Sequence, residues 1–336
     1  MTGPGPGGGH GGGFDFVPLA AAERLVDERA VIDRIEQVYR WTAEGALVTS
    51  RPTAMRMALD APRFKSHAKA VILPPLGIAG LRCVGYAVAE DGSGPSAPGT
   101  TRLVLLMDLA TGAPIALVDE HYNYTLRTAA SVAVAARALC PPAPRLGVIG
   151  AGGVAQAVIR LFAAVLPLEG IAITSRRAES REALAAEARG CVACPVEAVG
   201  SIEAVLETCN LVVTATTTKS VLIPRTAMRP GTLYCALGSF ELDGAIYRDA
   251  DKVLVDDWSQ TATAHDMAPL IEAGTFGEDR LHAELAAVVA GEVPGRERDD
   301  EVIVVRTEGM ASQDIALAHW TWQAARDAGM VTRVGL

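Results

Sequence analysis

The sequence is short of aromatic residues, of lysine and of any long apolar run. Only 5% of its 336 residues are Phe, Trp or Tyr, and only four are lysines: Lys65, Lys69, Lys219 and Lys252. No stretch approaches the roughly 20 uninterrupted apolar residues of a membrane helix, and the N-terminal segment lacks a basic-then-apolar signal pattern, so a cytoplasmic protein is expected. A formal net charge of −9 offers none of the positive surplus that phosphate backbones attract, which turns the expectation away from nucleic acid. The six cysteines are scattered through apolar segments, unlike the dense framework of a small secreted domain. Cys191 and Cys194 form a CxxC, but no second Cys/His pair stands at zinc spacing. The segment reads as a strand, and no metal is expected.

What is present suits a globular chain long enough for two domains that share a cleft. Residues 1–13, MTGPGPGGGHGGG, are too rich in Gly and Pro to bury anything and read as a disordered tail. Asp27 then precedes a segment in which Val31, Ile35, Val38 and Ala46 recur at near-helical spacing. Beyond it, AVILPP, GLRCVGYAV and TRLVLLMDL are strand-like runs separated by turns, and residues 121–139 are Ala-rich and helical. From Arg145 the organisation changes. The apolar runs RLGVIG, GIAITS, NLVVTAT, TLYCALG and KVLVDD alternate with helical stretches, the pattern of a parallel sheet covered on both faces. A last helix, GMASQDIALAHWTWQAARDAG, leads the chain back. The expected class is α/β: a Rossmann-type doubly wound parallel sheet domain over 131–309, plus an α+β domain over 14–130 to which 310–336 return.

The sharpest local signal is RLGVIGAGGVAQAVIRLF, residues 145–162, where a strand runs through Gly150, Ala151, Gly152, Gly153, Val154 and Ala155 into a helix. Gly150 permits the tight turn, Gly152 lets backbone approach a pyrophosphate, and Ala155 allows close helix–strand packing. The end of the next strand bears on the choice of nicotinamide cofactor. NAD enzymes place Asp or Glu there for the ribose hydroxyls, whereas this chain has Ser175, Arg176 and Arg177, which suit a 2′-phosphate. NADP(H) is therefore expected, with NAD(H) possible; the Arg pair also reads as a solvated helix start. Thr214, Ala215 and Thr216, then Gly238 and Ser239, end later strands at the edge where such folds bind ligands.

DEHYNYTLRTAASVAVAARAL followed directly by RLGVIGAGGVAQ resembles the ornithine cyclodeaminase/μ-crystallin family, in which an RTAA helix leads into the glycine turn. KVLVDDWSQ, LHAELAAVVAGEVPGRERDDEVIVV and EGMASQDIA resemble the branch that makes 2,3-diaminopropionate from N-(2-amino-2-carboxyethyl)-L-glutamate. The resemblance implies a homodimer whose N-terminal domain supplies the substrate pocket and the subunit interface. It also implies hydride transfer at a C–N bond beside a carboxylate, as in cyclodeamination, ketimine reduction, alanine dehydrogenation and iminosuccinate reduction. Arg56, in RPTAMRM, and Arg127, of RTAA, match the family's carboxylate-binding arginines.

Two positions depart from the family. Where it has a Lys in the strand after the AVILPP-like segment, this chain has Arg82, which can hold an anion but is a poor general acid. Lys69, with His67 alternating on a strand, His121, which with Tyr124 sits just before the RTAA helix where the family usually has apolar and small residues, or a bound water must then supply the proton. Cyclodeaminases also carry an Asp after the fifth Rossmann strand. In GSFELDGAI only Glu241 or Asp243 could replace it. These departures point to an NADP(H)-dependent oxidoreductase that interconverts an α-imino acid, or a 2-oxo acid plus amine, with an amino acid. Alternative readings are a cyclodeaminase or an NAD-linked diaminopropionate-forming dehydrogenase, and a non-catalytic NADPH-dependent binding protein like μ-crystallin.

Overall fold

The computed structural model describes residues 12–61, 63–89, 100–264 and 266–335. Most of the expected Gly/Pro tail, residues 1–11, lies outside the described residues, and Gly13 already belongs to the first strand rather than to a tail.

In chain order the first half contains β1 (Gly13–Val17), α1 (Leu19–Leu25), α2 (Glu28–Ala43), β2 (Val48–Thr49), β3 (Met55–Asp60), β4 (Arg63–Leu73), β5 (Ile78–Ala87), β6 (Thr101–Asp108), β7 (Pro114–Asp119) and α3 (His121–Leu139). There follow β8 (Arg145–Ile149), α4 (Gly153–Val165), β9 (Gly170–Thr174), α5 (Ala178–Arg189), β10 (Val196–Ala198), α6 (Ile202–Thr208), β11 (Leu211–Thr214), β12 (Leu233–Ala236) and α7 (Gly244–Asp249). The chain ends with β13 (Lys252–Val255), α8 (Trp258–Thr261), α9 (Ala268–Glu272), β14 (Ala283–Glu284), α10 (Leu285–Ala290), β15 (Ile303–Arg306), α11 (Ala311–Asp327) and β16 (Thr332–Gly335).

The strands form two sheets. The first has the order β16-β1-β7-β6-β5-β4-β2, with β3 also pairing β4, and is antiparallel apart from the β1–β7 pair. The second runs β10-β9-β8-β11-β12-β15-β13-β14 and is parallel throughout. Its strands β8, β9, β11, β12, β13 and β15 are buried almost without interruption, as helices on both faces require. The chain is thus an α/β protein with a doubly wound parallel sheet and a second, largely antiparallel one.

Local sequence accounts for the helices that join the sheets. Asp27 caps α2 by accepting from the Arg29 amide at 3.0 Å, and Val31, Ile32, Ile35, Val38 and Tyr39 give that helix one buried face. The returning helix α11 lies on the first sheet, where Ala311, Ile315, Ala316 and Ala318 share a core with Val71, Leu73, Ile78, Val104 and Val118. Its approach is close enough that a Cβ on Gly80 would run into Ile315. No helix among the described residues is long and apolar enough to cross a membrane.

Candidate active site

Strand alternation and register gather basic side chains on one face of the first sheet. Arg56 pairs with His67, His67 with Val84, and Val84 with Arg102; one step along, Lys69 pairs with Arg82 and Arg82 with Val104. Residues directly opposite each other, and residues two apart on one strand, share a face. Arg56, His67, Lys69, Arg82 and Arg102 therefore point to the side that α11 covers. From the helices, Arg127 of α3 and Asp314 of α11 complete the group. Lys69, Arg82, Arg127 and Asp314 are all buried, whereas Arg56 on the outer strand is exposed.

Buried charges must be paired. The Arg82 Nε lies 2.6 Å from Glu120 and 3.4 Å from Asp314, and its Nη1 lies 3.1 Å from the His67 Nε2. Arg127 pairs through Nε with Asp314 at 2.5 Å, and its two terminal nitrogens make no hydrogen bond among the described residues. Lys69 has only neutral hydrogen-bond partners: its Nζ donates to Gln260 Oε1 at 2.8 Å and to the Gly309 carbonyl at 2.7 Å. An ammonium has three protons, so one is left for a ligand. Burial lowers the Lys69 pKa to about 8, against the opposing pull of Asp314. Burial, then Asp314, pushes Glu120 up to about 7. Asp314 is held low despite burial, chiefly by Arg127 and Arg82. His67 falls to about 4, through burial and then the surrounding cations, and is neutral near pH 7.

Asp256, at the end of β13, accepts from the backbone amides of Glu308 and Gly309. This fixes the loop after β15 whose carbonyl receives Lys69. Gly309 has φ +85°, and a Cβ there would strike the Arg127 guanidinium, so glycine is required.

The glycine turn fits a dinucleotide. Gly150 has φ +132° and lies against the Ala215 carbonyl with no room for a Cβ, while a Cβ on Gly152 would meet only open space. Gly152 caps α4 without a side-chain partner, and Ala155 is fully buried where helix meets strand. Beside Ala151, Gly152 and Gly153 runs a groove of about 300 Å³, bounded by Gln156, Ser180 and Leu184. Free amides at a helix start and an open approach are what a pyrophosphate needs. Ser175 is half-buried, Arg176 and Arg177 are exposed, and no carboxylate stands among residues 174–178.

Several expectations change. His121 does not join the basic group: its ring nitrogens face Asp119 at 2.9 Å and Thr100 at 3.0 Å. Thr214 and Thr216 do not present free hydroxyls, because both donate to Glu241, at 2.7 and 2.5 Å. Glu241 also accepts from the Gly238 amide at 2.7 Å, while Asp243 caps α7 by accepting from Ala245, so neither acid is free to meet a distal amine. Ser239 accepts from Arg306, a guanidinium buried against Asp266 and Glu308. Cys191 and Cys194 lie in the loop between α5 and β10, not in a strand. The residues missed in the sequence are Glu120, Asp256, Gln260, Arg306, Gly309 and Asp314. Asp314 inside the apolar run of α11 and Asp256 at a strand end were the available signals.

The chain is similar to known proteins along most of its length. The chain is 29% identical over 241 residues to a Δ1-pyrroline-2-carboxylate reductase from Bacillus cereus, covering 69% of this chain and 73% of that protein. It is 34% identical over 128 residues to the N-((2S)-2-amino-2-carboxyethyl)-L-glutamate dehydrogenase of Staphylococcus aureus, 38% of either chain. The solved iminosuccinate reductase of Paracoccus denitrificans, in complex with NAD+, superposes with a TM-score of 0.85 at 26% identity, over 96% of this chain and 100% of that one. The sequence model of the ornithine cyclodeaminase/mu-crystallin family matches residues 21–329, and the chain belongs to that family.

Proposed function

We propose that this oxidoreductase reduces an α-imino acid, or a 2-oxo acid plus amine, to the amino acid with NADPH, and runs the reverse reaction with NADP+. The observation that carries this reading is a buried lysine with one uncommitted proton, set directly across the β4–β5 ladder from a permanently charged arginine. The names of the relatives, all acting at a carbon–nitrogen bond next to a carboxylate, support it.

The terminal fork of Arg127 and the side chain of Arg56 receive the α-carboxylate, for which a planar guanidinium is the matched partner. Lys69 donates a proton to the imine nitrogen as the carbon accepts a hydride; in the reverse direction it takes the proton back. Arg82 cannot exchange a proton, so its part is electrostatic: with Glu120 and Asp314 it fixes the field around Lys69. The glycine turn, from Gly150 to Ala155, holds the pyrophosphate, and Gly238 and Ser239 border the ring-binding end. A reduced nicotinamide supplies the hydride, two electrons at once. Ser175, Arg176 and Arg177 hold the 2′-phosphate, which sets this chain apart from the NAD+ complex of its Paracoccus relative.

The active form is a homodimer. Met55, Met57 and Leu59 of β3 expose more than half their surface on one side of the strand, beside Val48 and Phe64, and a second copy would cover them. Sedimentation of the wild type and Met57→Asp tests this; a monomeric wild type contradicts it.

The function is tested by following NADPH absorbance with a panel of cyclic imines and 2-oxo acids plus ammonium. Turnover of at least one compound is expected, with NADPH favoured over NADH. Tight NADPH binding without any consumption overturns the reading in favour of a binding protein, and ammonia release from ornithine without net cofactor turnover overturns it in favour of a cyclodeaminase.

A further inference from the structure

Tyr124 occupies a place where the family resemblance leads to apolar or small residues, and three guanidinium groups surround its ring. The Cζ atoms of Arg102, Arg127 and Arg82 lie 4.0, 5.1 and 5.7 Å from the ring centroid. Arg127 and Arg82 have carboxylate partners, whereas Arg102 has neither a salt bridge nor a side-chain hydrogen bond among the described residues. On Arg82, the Nη2 is buried without a hydrogen-bond partner. Besides Arg127, whose terminal fork is assigned to the α-carboxylate, Arg82 and Arg102 thus hold unused donors at this ring, and burial disfavours the charge of Arg102.

Charge counting sharpens the point. Five cations converge here (Arg56, Lys69, Arg82, Arg102 and Arg127) against three buried carboxyls, Glu120, Asp256 and Asp314. Two more positive charges than negative ones are then left, one within the desolvated group and one, Arg56, at its exposed edge, an excess that an anionic ligand would compensate. A single α-carboxylate neutralises one of them.

We propose that Arg102 and the free Nη2 of Arg82, packed on Tyr124, form a second anion subsite, and that the substrate is an α-imino acid carrying a second carboxylate on its side chain. This rests on the imine-reduction reading. Arg102 is then the specificity-determining residue, and Tyr124 positions it by stacking.

The test compares ammonium plus 2-oxo dicarboxylates (oxaloacetate, 2-oxoglutarate) with ammonium plus pyruvate or 2-oxobutyrate, in wild type, Arg102→Met and Arg102→Lys, with melting temperatures checked alongside. The wild type should favour a dicarboxylate by about 10- to 100-fold in kcat/KM, the worth of a charge-assisted contact. Arg102→Met should abolish that preference by raising the dicarboxylate KM, leaving kcat and the monocarboxylate reactions within about threefold of wild type. Arg102→Lys should recover part of it. Equal use of both classes by the wild type, or an equal loss for both in Arg102→Met, overturns the proposal. Should no imine be reduced, calorimetry with succinate and propionate on the NADP+-loaded protein reads the subsite independently of the chemistry. Tighter succinate binding, lost in Arg102→Met, supports it; equal affinities sink it.

Discussion

The Nζ of Lys69 lies 2.7 Å from the carbonyl oxygen of Gly309, 240 residues away in the chain, and so ties the basic face of the first sheet to the loop that leaves the last buried strand of the second. With the bond to Gln260, the contact orients the ammonium and leaves one of its three protons uncommitted. Lys69→Met should lower kcat by about 10²- to 10⁴-fold, the usual contribution of a general acid. NADPH affinity, read by fluorescence titration, should stay within about twofold, since no cofactor-binding element loses a contact.

The same lysine sets a pH dependence. Burial brings its pKa down to about 8. Reduction needs the protonated form, so its rate should fall as pH rises through about 8, while oxidation of the amino acid should rise over the same range. Lys69→Arg should remove this limb. Stability has its own sign: the folded chain releases the Lys69 proton near 8 and the unfolded chain only near 10.5, so between these values the unfolded state binds more protons and stability rises with pH. Chemical denaturation of Lys69→Met across that window should show a flatter profile than wild type.

Glu241 is fully buried and accepts from Thr214, Thr216 and Gly238, fastening the ends of β11 and β12 together. Glu241→Ala orphans those donors and should cost about 2–5 kcal/mol. Loss of stability and weakening of NADPH binding should appear together in thermal melts with and without cofactor. Unchanged melting would contradict the structural role assigned to this acid.

Much of the architecture was legible because periodicity reports burial. The strand repeats of β8, β9 and β11 and the capped start of α2 follow directly from residue spacing. The RTAA helix and the glycine turn carried the family. The acids that organise the site were not legible, because their partners are remote: Asp314 meets Arg82 and Arg127 only when α11 returns across the sheet, and Glu120 only when α3 begins beside β5. Alternation put Lys69 and Arg82 on one face, but which of them meets neutral partners and keeps a spare proton depends on Gln260 and Gly309. The bonds from Thr214 and Thr216, at the end of β11, to Glu241 were not legible either, because a hydroxyl's direction is invisible in sequence.

Cofactor choice is tested at the end of β9. Replacing Arg176 and Arg177 together by Ala should raise the KM for NADPH by about 10- to 100-fold, the effect of losing charged hydrogen bonds to a phosphate, and leave that for NADH nearly unchanged. An equal change for both cofactors would show that the pair is only a solvated helix start.

The most direct measurement is a crystal structure of the protein with NADP+ and its amino-acid product. We expect the product carboxylate within hydrogen-bonding distance of Arg127 and Arg56, its nitrogen beside Lys69 Nζ, and its α-carbon against the nicotinamide ring. A ring turned away from these residues, or a nucleotide bound anywhere other than the glycine turn, would contradict the proposed chemistry.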